Sequence, residues 1–320
     1  MVDSLGAAHP SCPAPVAIVG ATASGKSALA LALARRNQGA EIVSVDSMVV
    51  YRGMDIGTSK PSVAERAEVP HHLLDLANPW EDFSVQRFQD AALPVLAELG
   101  ERGCPVILVG GTGLYLWSVI DPMSIPGRWP ELAAELAAEA DRPGGLAALH
   151  ACLSALDPLA ASRMLATNRR RVIRALEVTL GAGRPFSSFG PGLAAYGPTP
   201  VRLVGIRLSR ASRAARIEAR VQTQMAAGWL DEVRELAALP EGLSRTARQA
   251  LGYRELLRHV EGGEPLDEAI AATVRRTRRF AKRQEAWFGR DPRIVWVDSE
   301  GGDEVKVLAD VEAVLRDWRA

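Results

Sequence analysis

Cysteine is scarce in this sequence, and long apolar runs are absent from it. Cys12, Cys104 and Cys152 are the only cysteines among the 320 residues, and they lie far apart without paired spacing. This distribution suggests neither a disulfide framework nor a zinc site, and it fits the reducing cytoplasm. Since no apolar run approaches the length of a membrane span, we expect no membrane partner.

A secretion signal is also lacking at the start of the chain. Residues 1–14 contain Asp3, His9 and several prolines instead of a basic start followed by an apolar stretch. We therefore predict a flexible N-terminal tail over residues 1–14. Hydrophobic residues make up 48% of the chain, which is enough to bury a sizeable core in one large or two modest domains.

Net charge is absent as well, because 38 basic residues balance 38 acidic ones. The charge is nevertheless segregated, since residues 158–176 and 270–284 contain arginines but no acidic residue. The first segment holds Arg163, Arg169, Arg170, Arg171 and Arg174, and the second holds Arg275, Arg276, Arg278, Arg279, Lys282 and Arg283. A single basic helix is often just a solvated surface, but two such clusters favour a nucleic-acid partner despite the neutral total.

Residues 20–27 fit the phosphate-binding pattern G-x-x-x-x-G-K-[ST]. A short buried strand is predicted before them at residues 15–19, and a helix after them at residues 28–34. In this context the loop N–H groups and the positive helix end face an anion, Lys26 reaches its outer phosphate, and Ser27 offers a hydroxyl to Mg²⁺. The pattern predicts a phosphorylated ligand.

Two predicted strands end in residues that suit a ligand site. Asp46 follows a strand at residues 41–45, and in doubly wound sheets this edge is where ligands bind. A strand at residues 104–109 runs into glycines and Thr112. Most ATP-hydrolysing phosphate-loop proteins have an aspartate at this position, so an ATPase cycle is disfavoured.

The fold class predicted from these elements is α/β, with a P-loop NTPase-like three-layer core, a mostly parallel sheet and an inserted all-helical domain. The core would occupy residues 15–125 and 201–320, with basic C-terminal helices, and the insertion residues 126–200. Helices are predicted over residues 85–99, 131–140, 145–156, 158–179 and 212–239, the last capped by Ser212. Further strands are predicted over residues 71–76, 202–208 and 293–298. The pair His71 and His72 is interpreted as structural.

Several sequence blocks, in order, closely resemble the bacterial tRNA dimethylallyltransferases. They are GATASGKS at 20–27, DSMVVYRGMDIGT at 46–58, GGTGLY at 110–115, RALE at 174–177 and LGYRE at 251–255. The resemblance spans residues 15–287. It implies a Mg²⁺-dependent transfer of a dimethylallyl group from its diphosphate to the exocyclic amine of the adenosine after the anticodon, in tRNAs that read codons beginning with U.

The resemblance also implies roles for individual residues. Asp46 matches the base, Thr112 the contact to the bridging oxygen, and Arg220 an arginine that holds the diphosphate. The diphosphate would be bound by Gly20, Ala21, Thr22, Ala23, Ser24, Gly25, Lys26 and Ser27, with Ser27 also the metal ligand. The tRNA anticodon stem-loop would be contacted by Asp46, Ser47, Met48, Val49, Arg170, Arg171, Arg174, Gln249, Gly252, Tyr253, Arg254 and Arg283, with Gln284 beside them. No obligate protein partner is implied.

Several positions depart from the family pattern. Val49 stands where many members have glutamine, Arg169 replaces the usual aspartate, Ala21 replaces a frequent proline, and an arginine expected around Ala133 is absent.

Three other functions are considered. A small-molecule kinase would share the loop but leave the arginine clusters unexplained. A nucleotide-switched RNA-binding protein would bind ATP or GTP without prenyl transfer. An enzyme that prenylates free adenosine phosphates would not need the helical insertion.

Overall fold

A computed structural model describes residues 13–121, 123–190, 192, 195–300 and 303–316. Most of the predicted tail, residues 1–12, lies outside the described residues. The chain divides into two compact units, one formed by Met1–Asp121 with Pro198–Ala320 and the other by Pro122–Gly197. We describe each unit by itself. None of the helices in the described ranges combines the length and the apolar character that a membrane span needs.

The larger unit is built on a six-stranded sheet in the order β3-β2-β4-β1-β5-β6, with every described pairing parallel. The strands are β1 (Val16–Gly20), β2 (Glu41–Ser44), β3 (His71–His72), β4 (Val106–Gly110), β5 (Arg202–Arg207) and β6 (Ile294–Asp298). The apolar strands β1 and β4 are buried along their whole length, as expected of central parallel strands covered on both faces. The predicted α/β class and parallel sheet are confirmed.

Helices of the larger unit complete its core. They are α1 (Lys26–Arg36), α2 (Val63–Glu68), α3 (Val85–Glu101), α4 (Gly113–Ile120), α9 (Arg210–Ala226), α10 (Trp229–Ala237), α11 (Tyr253–Gly262), α12 (Leu266–Phe288) and α13 (Glu304–Val314), numbered with those of the smaller unit in chain order. One apolar cluster joins α1 and α13 to the sheet through residues such as Leu33, Ile107 and Val311. This packing fixes α1, and therefore the loop before it, against the ends of the central strands.

The smaller unit contains only helices among its described residues. They are α5 (Pro130–Ala140), α6 (Gly145–Leu156), α7 (Pro158–Ser162) and α8 (Arg169–Ala182), followed by a 3-10 turn at Phe186–Phe189. The prediction of one helix over residues 158–179 was wrong. The chain leaves the helix after Ser162, and Asn168 starts a new one by accepting a 3.3 Å hydrogen bond from the backbone N–H of Arg171.

Two further predictions in the larger unit were wrong. Ser212 is not a helix cap, because Ser209 caps α9 by accepting a hydrogen bond from the backbone N–H of Ser212. The helix does not reach residue 239, because Gly228 adopts φ 95° and starts the separate helix α10. The strand predicted over residues 71–76 is only His71–His72, and Leu73 and Asp75 take positive φ values that end the pairing.

Candidate active site

The phosphate-binding loop lies between β1 and α1. Gly25 has φ 89° immediately before the first helical residue, Lys26, and Ala23 has φ 67°. The backbone N–H of Ser24 donates a 3.1 Å hydrogen bond to the carbonyl of Ala21. A tight turn of this kind leaves the N–H groups at the start of α1 facing outward, where they attract an anion.

Glycine is required at the first loop position because the backbone of β5 comes close. A Cβ at Gly20 would lie 2.8 Å from the carbonyl oxygen of Ile206 and 2.9 Å from Ser24 Oγ. The hydroxyl of Ser24 is buried and has no hydrogen-bond partner among the described residues. A buried hydroxyl without a partner is costly, so this group is available to a ligand in the loop.

Lys26 combines partial burial with two charged neighbours. Desolvation lowers the pKa of its ammonium group to about 8, Asp46 opposes this shift, and Arg220 adds to it. Asp46 also raises the pKa of Arg220, although burial lowers that pKa overall. Because such charge–charge interactions act over short distances, the three side chains form one interacting charge cluster. The structure therefore brings together the predicted base, the loop lysine and the predicted diphosphate-binding arginine.

Asp46 is held by the loop that follows β2. Its Oδ1 accepts a 2.9 Å hydrogen bond from the backbone N–H of Met48, and the residue is half-buried. The second carboxylate oxygen has no protein donor among the hydrogen bonds of the described chain. An ionised carboxylate that is fixed through one oxygen can accept a proton at the other.

Thr112 lies just beyond the carboxyl end of β4 and next to the Asp46 loop. Its Oγ1 accepts a 3.1 Å hydrogen bond from the backbone N–H of Ser47 and lies 3.3 Å from Ser47 Oγ. Neighbouring glycines are required there, because a Cβ at Gly110 would lie 2.3 Å from the carbonyl oxygen of Val45. This close contact places the two loops side by side.

The arginines on α9 face different surroundings. Arg213 is buried and pairs with Glu285, whereas Arg220 Nη2 lies 3.5 Å from the carbonyl oxygen of Thr58. Arg216 lies between them, and its Nη1 would be 3.5 Å from a Cβ at Gly25. Of these three arginines on α9, one is therefore structural and two lie near the site loops. Sequence spacing alone did not assign Arg216 to the phosphate loop.

The segment after Asp46 is clamped by residues that the sequence did not single out. Glu232 accepts hydrogen bonds from the backbone N–H groups of Asp55 at 2.8 Å and Ile56 at 2.7 Å. Gln224 Nε2 donates to the carbonyl oxygen of Ile56 at 2.8 Å. The buried indole of Trp229 packs so closely that a Cβ at Gly57 would lie 2.1 Å from its Nε1. The loop is therefore a rigid part of the site.

Ser27 is the residue predicted to hold a metal ion. Its side chain is exposed at the first turn of α1. Among the described residues, no group of three His, Cys, Asp or Glu side chains is arranged to hold a metal. A single hydroxyl fits Mg²⁺, which usually keeps few protein ligands and takes the rest of its oxygens from water and substrate phosphates.

Comparisons with known proteins identify the family. A model described as IPP transferase matches residues 49–291, and one described as Isopentenyl transferase matches residues 15–76. The chain belongs to the IPP transferase family. The tRNA dimethylallyltransferase of Nocardioides sp. is 48% identical over 284 residues, which cover 88% of this chain and 90% of that protein. The family prediction is confirmed.

Solved structures agree with this assignment. The full-length tRNA isopentenylpyrophosphate transferase of Bacillus halodurans is 37% identical, with 95% of this chain and 96% of that chain covered and a TM-score of 0.69. A eukaryotic dimethylallyltransferase acting on tRNA shares the fold, with a TM-score of 0.74 at 22% identity. The names of these IPP transferase relatives support the transferase prediction and not the small-molecule kinase.

In this IPP transferase, the predicted tRNA-binding arginines of the smaller unit differ in exposure and in the hydrogen bonds and ion pairs that they already make. Arg170 and Arg171 are exposed at the start of α8. Arg174 instead donates to the carbonyl oxygens of Pro126 and Gly127, each at 2.9 Å, and pairs with Glu177. Arg169 pairs with Asp141 at 3.0 Å and donates to the carbonyl oxygen of Ala137 at 2.9 Å. Arg170 and Arg171, which are exposed and have no ion pair among the described residues, are therefore the ones best placed for a phosphate.

The second basic segment forms part of α12. Its exposed side chains are those of Arg275, Arg278, Arg279, Lys282 and Arg283. Arg278 pairs with Glu218, and the less exposed Arg276 pairs with Glu255, so acids from other elements partly neutralise a segment that contains none. Arg283 lies over the ring of Phe280 at 5.5 Å.

The remaining predicted tRNA contacts include both exposed and buried residues. Gln249 and Arg254 are exposed, whereas Val49, Gly252 and Tyr253 are buried. The hydroxyl of Tyr253 donates a 2.6 Å hydrogen bond to Glu232, and burial together with that carboxylate raises its pKa well above the usual value. Contact of these residues with tRNA stays a prediction.

Proposed function

We propose that this protein transfers a dimethylallyl group from dimethylallyl diphosphate to the exocyclic N6 amine of the adenosine that follows the anticodon, in tRNAs reading codons that begin with U. The observation that supports this most directly is the convergence of Asp46, Lys26 and Arg220 at a phosphate loop. The adjacent strand β4 ends in glycines and Thr112 instead of an aspartate. The site thus combines anion binding with a base and lacks the usual residue for nucleotide hydrolysis.

The diphosphate end of the substrate would be bound by the phosphate loop. Backbone N–H groups at the start of α1, Lys26 and Arg220 supply positive charge where negative charge develops as the carbon–oxygen bond breaks. Arg216 is close enough to Gly25 to add to this charge. The hydroxyl of Thr112 is proposed to donate a hydrogen bond to the bridging oxygen. The departing diphosphate takes both electrons of the broken bond.

A magnesium ion held by Ser27 Oγ and diphosphate oxygens would, when bound, neutralise part of the leaving-group charge. Ser27 is suited to this because its exposed hydroxyl lies at the first turn of α1, next to Lys26. Lys26 and Arg220 carry the remaining charge compensation.

Asp46 would act as the base on the adenine. The exocyclic amine is poorly basic, so nitrogen attack on carbon is assisted when a carboxylate removes its proton, an effect typically worth about 10²–10⁴ in rate. The oxygen of Asp46 that does not bind Met48 is the proton acceptor in this proposal. The new carbon–nitrogen bond forms as the proton passes to Asp46.

The acceptor base must leave the stacked anticodon loop to reach this site, which costs a few kcal/mol. Contacts to phosphates offset that cost, and the exposed Arg170 and Arg171 of the smaller unit and Arg275 and Arg279 of the larger one are candidates. An enzyme acting on tRNA in this way would work in the cytoplasm. We propose no obligate protein partner.

Radiolabelled dimethylallyl diphosphate, Mg²⁺ and unmodified tRNA reading U-initial codons provide the direct test. We expect label to enter the tRNA at the adenosine after the anticodon and diphosphate to be released in equal amount. ATP in place of tRNA serves as the control acceptor. Label entering ATP, or tRNA that stays unlabelled, would overturn the proposal.

A further inference from the structure

Gln284 joins two loops of the proposed active site. The residue lies on α12 and is only 6% exposed. Its Oε1 accepts a 2.8 Å hydrogen bond from the backbone N–H of Thr22, and its Nε2 donates a 2.8 Å hydrogen bond to the carbonyl oxygen of Gly111. Because one partner can only donate and the other only accepts, the orientation of the amide is determined.

The two hydrogen-bond partners of Gln284 follow neighbouring strands, just beyond the last residues that pair in the sheet. Thr22 lies in the phosphate loop after β1, and Gly111 precedes Thr112 after β4. The parallel register of these strands ends at the pair Val19 and Gly110. Gln284 therefore continues the connection between the two strands past the last paired residues, at the point where each becomes a loop.

The packing around the amide of Gln284 leaves no room for a side chain at position 111. A Cβ there would lie 2.3 Å from Gln284 Nε2. The side chain of Gln284 also uses the N–H of Thr22, so that loop N–H is directed to the protein and not to a ligand. Both observations indicate that Gln284 holds the two loops in a fixed geometry.

We propose that Gln284 is a positioning residue that sets the spacing between the phosphate loop and the Thr112 loop for the departing diphosphate. This inference rests on the proposed function and extends it to a residue that touches neither substrate. Gln284 is buried within the protein, so we assign it this role instead of the tRNA contact implied by family resemblance. A displacement of about 1 Å in such a site costs up to about 10²-fold in rate.

The test uses the whole chain with Gln284 replaced by methionine or by glutamate, two side chains of similar size. Gln284→Met removes both hydrogen bonds, and we expect kcat for transfer to fall by about 10²-fold and the Kd for inorganic pyrophosphate to rise by roughly tenfold. The KM for tRNA should be unchanged. Thr273→Val is the matched control, because Thr273 is buried on the same helix and bonds only to the carbonyl of Ala269.

Gln284→Glu separates hydrogen bonding from packing. When ionised, the new carboxylate opposes the carbonyl oxygen of Gly111, and when protonated it regains a donor. We therefore expect its activity relative to wild type to rise as the pH falls, whereas the ratio for Gln284→Met stays flat. The charged residues closest in sequence to Gln284 are Lys282, Arg283 and Glu285 on α12, and Lys26 is the one closest to Thr22. Arg213 of the packed helix α9 pairs with Glu285, and the loop at residues 110–113 carries no charge.

Wild-type kcat and pyrophosphate affinity in Gln284→Met would overturn the inference, and so would a Gln284→Glu ratio that does not change with pH. If circular dichroism shows that Gln284→Met does not fold, Gly111→Ala tests the same contact from the other side and should weaken pyrophosphate binding similarly. Undiminished binding in that variant also contradicts the proposal. Pyrophosphate binding is measured without tRNA, so a wild-type protein that transfers no dimethylallyl group would refute the proposed function and leave this test intact.

Discussion

The Oγ1 of Thr112 accepts a 3.1 Å hydrogen bond from the backbone N–H of Ser47. The backbone N–H of Thr112 donates in turn to the carbonyl oxygen of Val45 at 3.3 Å. These two contacts enclose Asp46 between residues that are tied to the neighbouring loop. The orientation of the proposed base therefore depends on Thr112, in addition to any contact of this hydroxyl with substrate.

Thr112→Val should reduce transfer more than Thr112→Ser does. Valine keeps the shape but removes the acceptor for Ser47 N–H and the donor to the bridging oxygen, and we expect kcat/KM for dimethylallyl diphosphate to fall by about 10–10²-fold. Serine retains the hydroxyl, so it should stay within about threefold of wild type. Steady-state kinetics with saturating tRNA measure both variants. Equal activity of the valine and serine variants would show that the hydroxyl has no role.

Asp46→Asn should nearly abolish transfer while pyrophosphate still binds. Asparagine preserves the acceptor for Met48 N–H but cannot take the proton of the adenine amine, so we expect a loss of about 10²–10⁴ in kcat. Single-turnover transfer from labelled dimethylallyl diphosphate measures the chemical step. Asp46→Glu, which keeps a base on a longer side chain, is the comparison variant. Full activity of the asparagine variant would remove Asp46 from the mechanism.

The parts of the site that the sequence predicts are those determined by local geometry. The phosphate loop is predictable because the glycines, Lys26 and Ser27 must follow one another within a single strand-loop-helix unit. Asp46 and Thr112 are predictable because the carboxyl ends of parallel strands meet at one edge of the sheet. The strand order confirms this placement, with β4 between β1 and β2.

The residues that hold these loops are not predictable in the same way. Gln284 contacts a residue 262 positions away, and Glu232 reaches Ile56 across 176 positions. Such contacts depend on how helices pack, and nothing in the local sequence distinguishes these side chains from ordinary helix surface residues. The partial neutralisation of the second basic segment is unpredictable for the same reason, because Glu218 and Glu255 from other elements pair with Arg278 and Arg276.

Pyrophosphate binding should weaken as the pH rises through about 8, the pKa of Lys26. Below this pH the ammonium is protonated in the free enzyme, and above it anion binding must first take up a proton. The Kd should therefore rise by up to about tenfold for each further pH unit. Calorimetry from pH 7 to about pH 9.5 in buffers of different ionisation enthalpy measures both Kd and proton uptake.

Lys26→Ala serves as the control for titration of the ligand itself and should bind weakly without the proton uptake of wild type. The negative charge of Asp46 raises the pKa of Lys26, so Asp46→Asn should move the pH midpoint downward. A midpoint that stays in place, or moves upward, would contradict the charge cluster.

Replacing Arg170 and Arg171 together with glutamine should weaken tRNA binding and its salt dependence. Both side chains are exposed, and removing each arginine–phosphate interaction should reduce the slope of log Kd against log salt by about 0.7–0.9. Filter binding between about 50 and 200 mM salt measures the slope. Arg169→Gln is the matched control, because Arg169 already pairs with Asp141. If Arg169→Gln changed the slope as much as Arg170→Gln or Arg171→Gln does, only the total charge of the helix would matter.

Gly57→Ala should destabilise the loop that follows Asp46. A Cβ at Gly57 would lie 2.1 Å from Trp229 Nε1 and 2.5 Å from Tyr253 Cε2, and both aromatic rings are almost fully buried. Overpacking of this kind typically costs about 1–3 kcal/mol. It should also lower transfer, because the Tyr253 hydroxyl bonds to Glu232, which in turn holds the loop. Urea unfolding followed by circular dichroism gives the change in the free energy of unfolding.

Gly100→Ala provides the control for this substitution. Gly100 lies in helix α3, and a Cβ there meets nothing within 4 Å. Because alanine restricts the unfolded chain and favours the helix, we expect this variant to be more stable than wild type by about 0.5–1 kcal/mol. Its transfer activity should be unchanged. A Gly57→Ala protein as stable as wild type would mean that Trp229 and Tyr253 can move away from the loop, and the rigidity inferred for it would then be wrong.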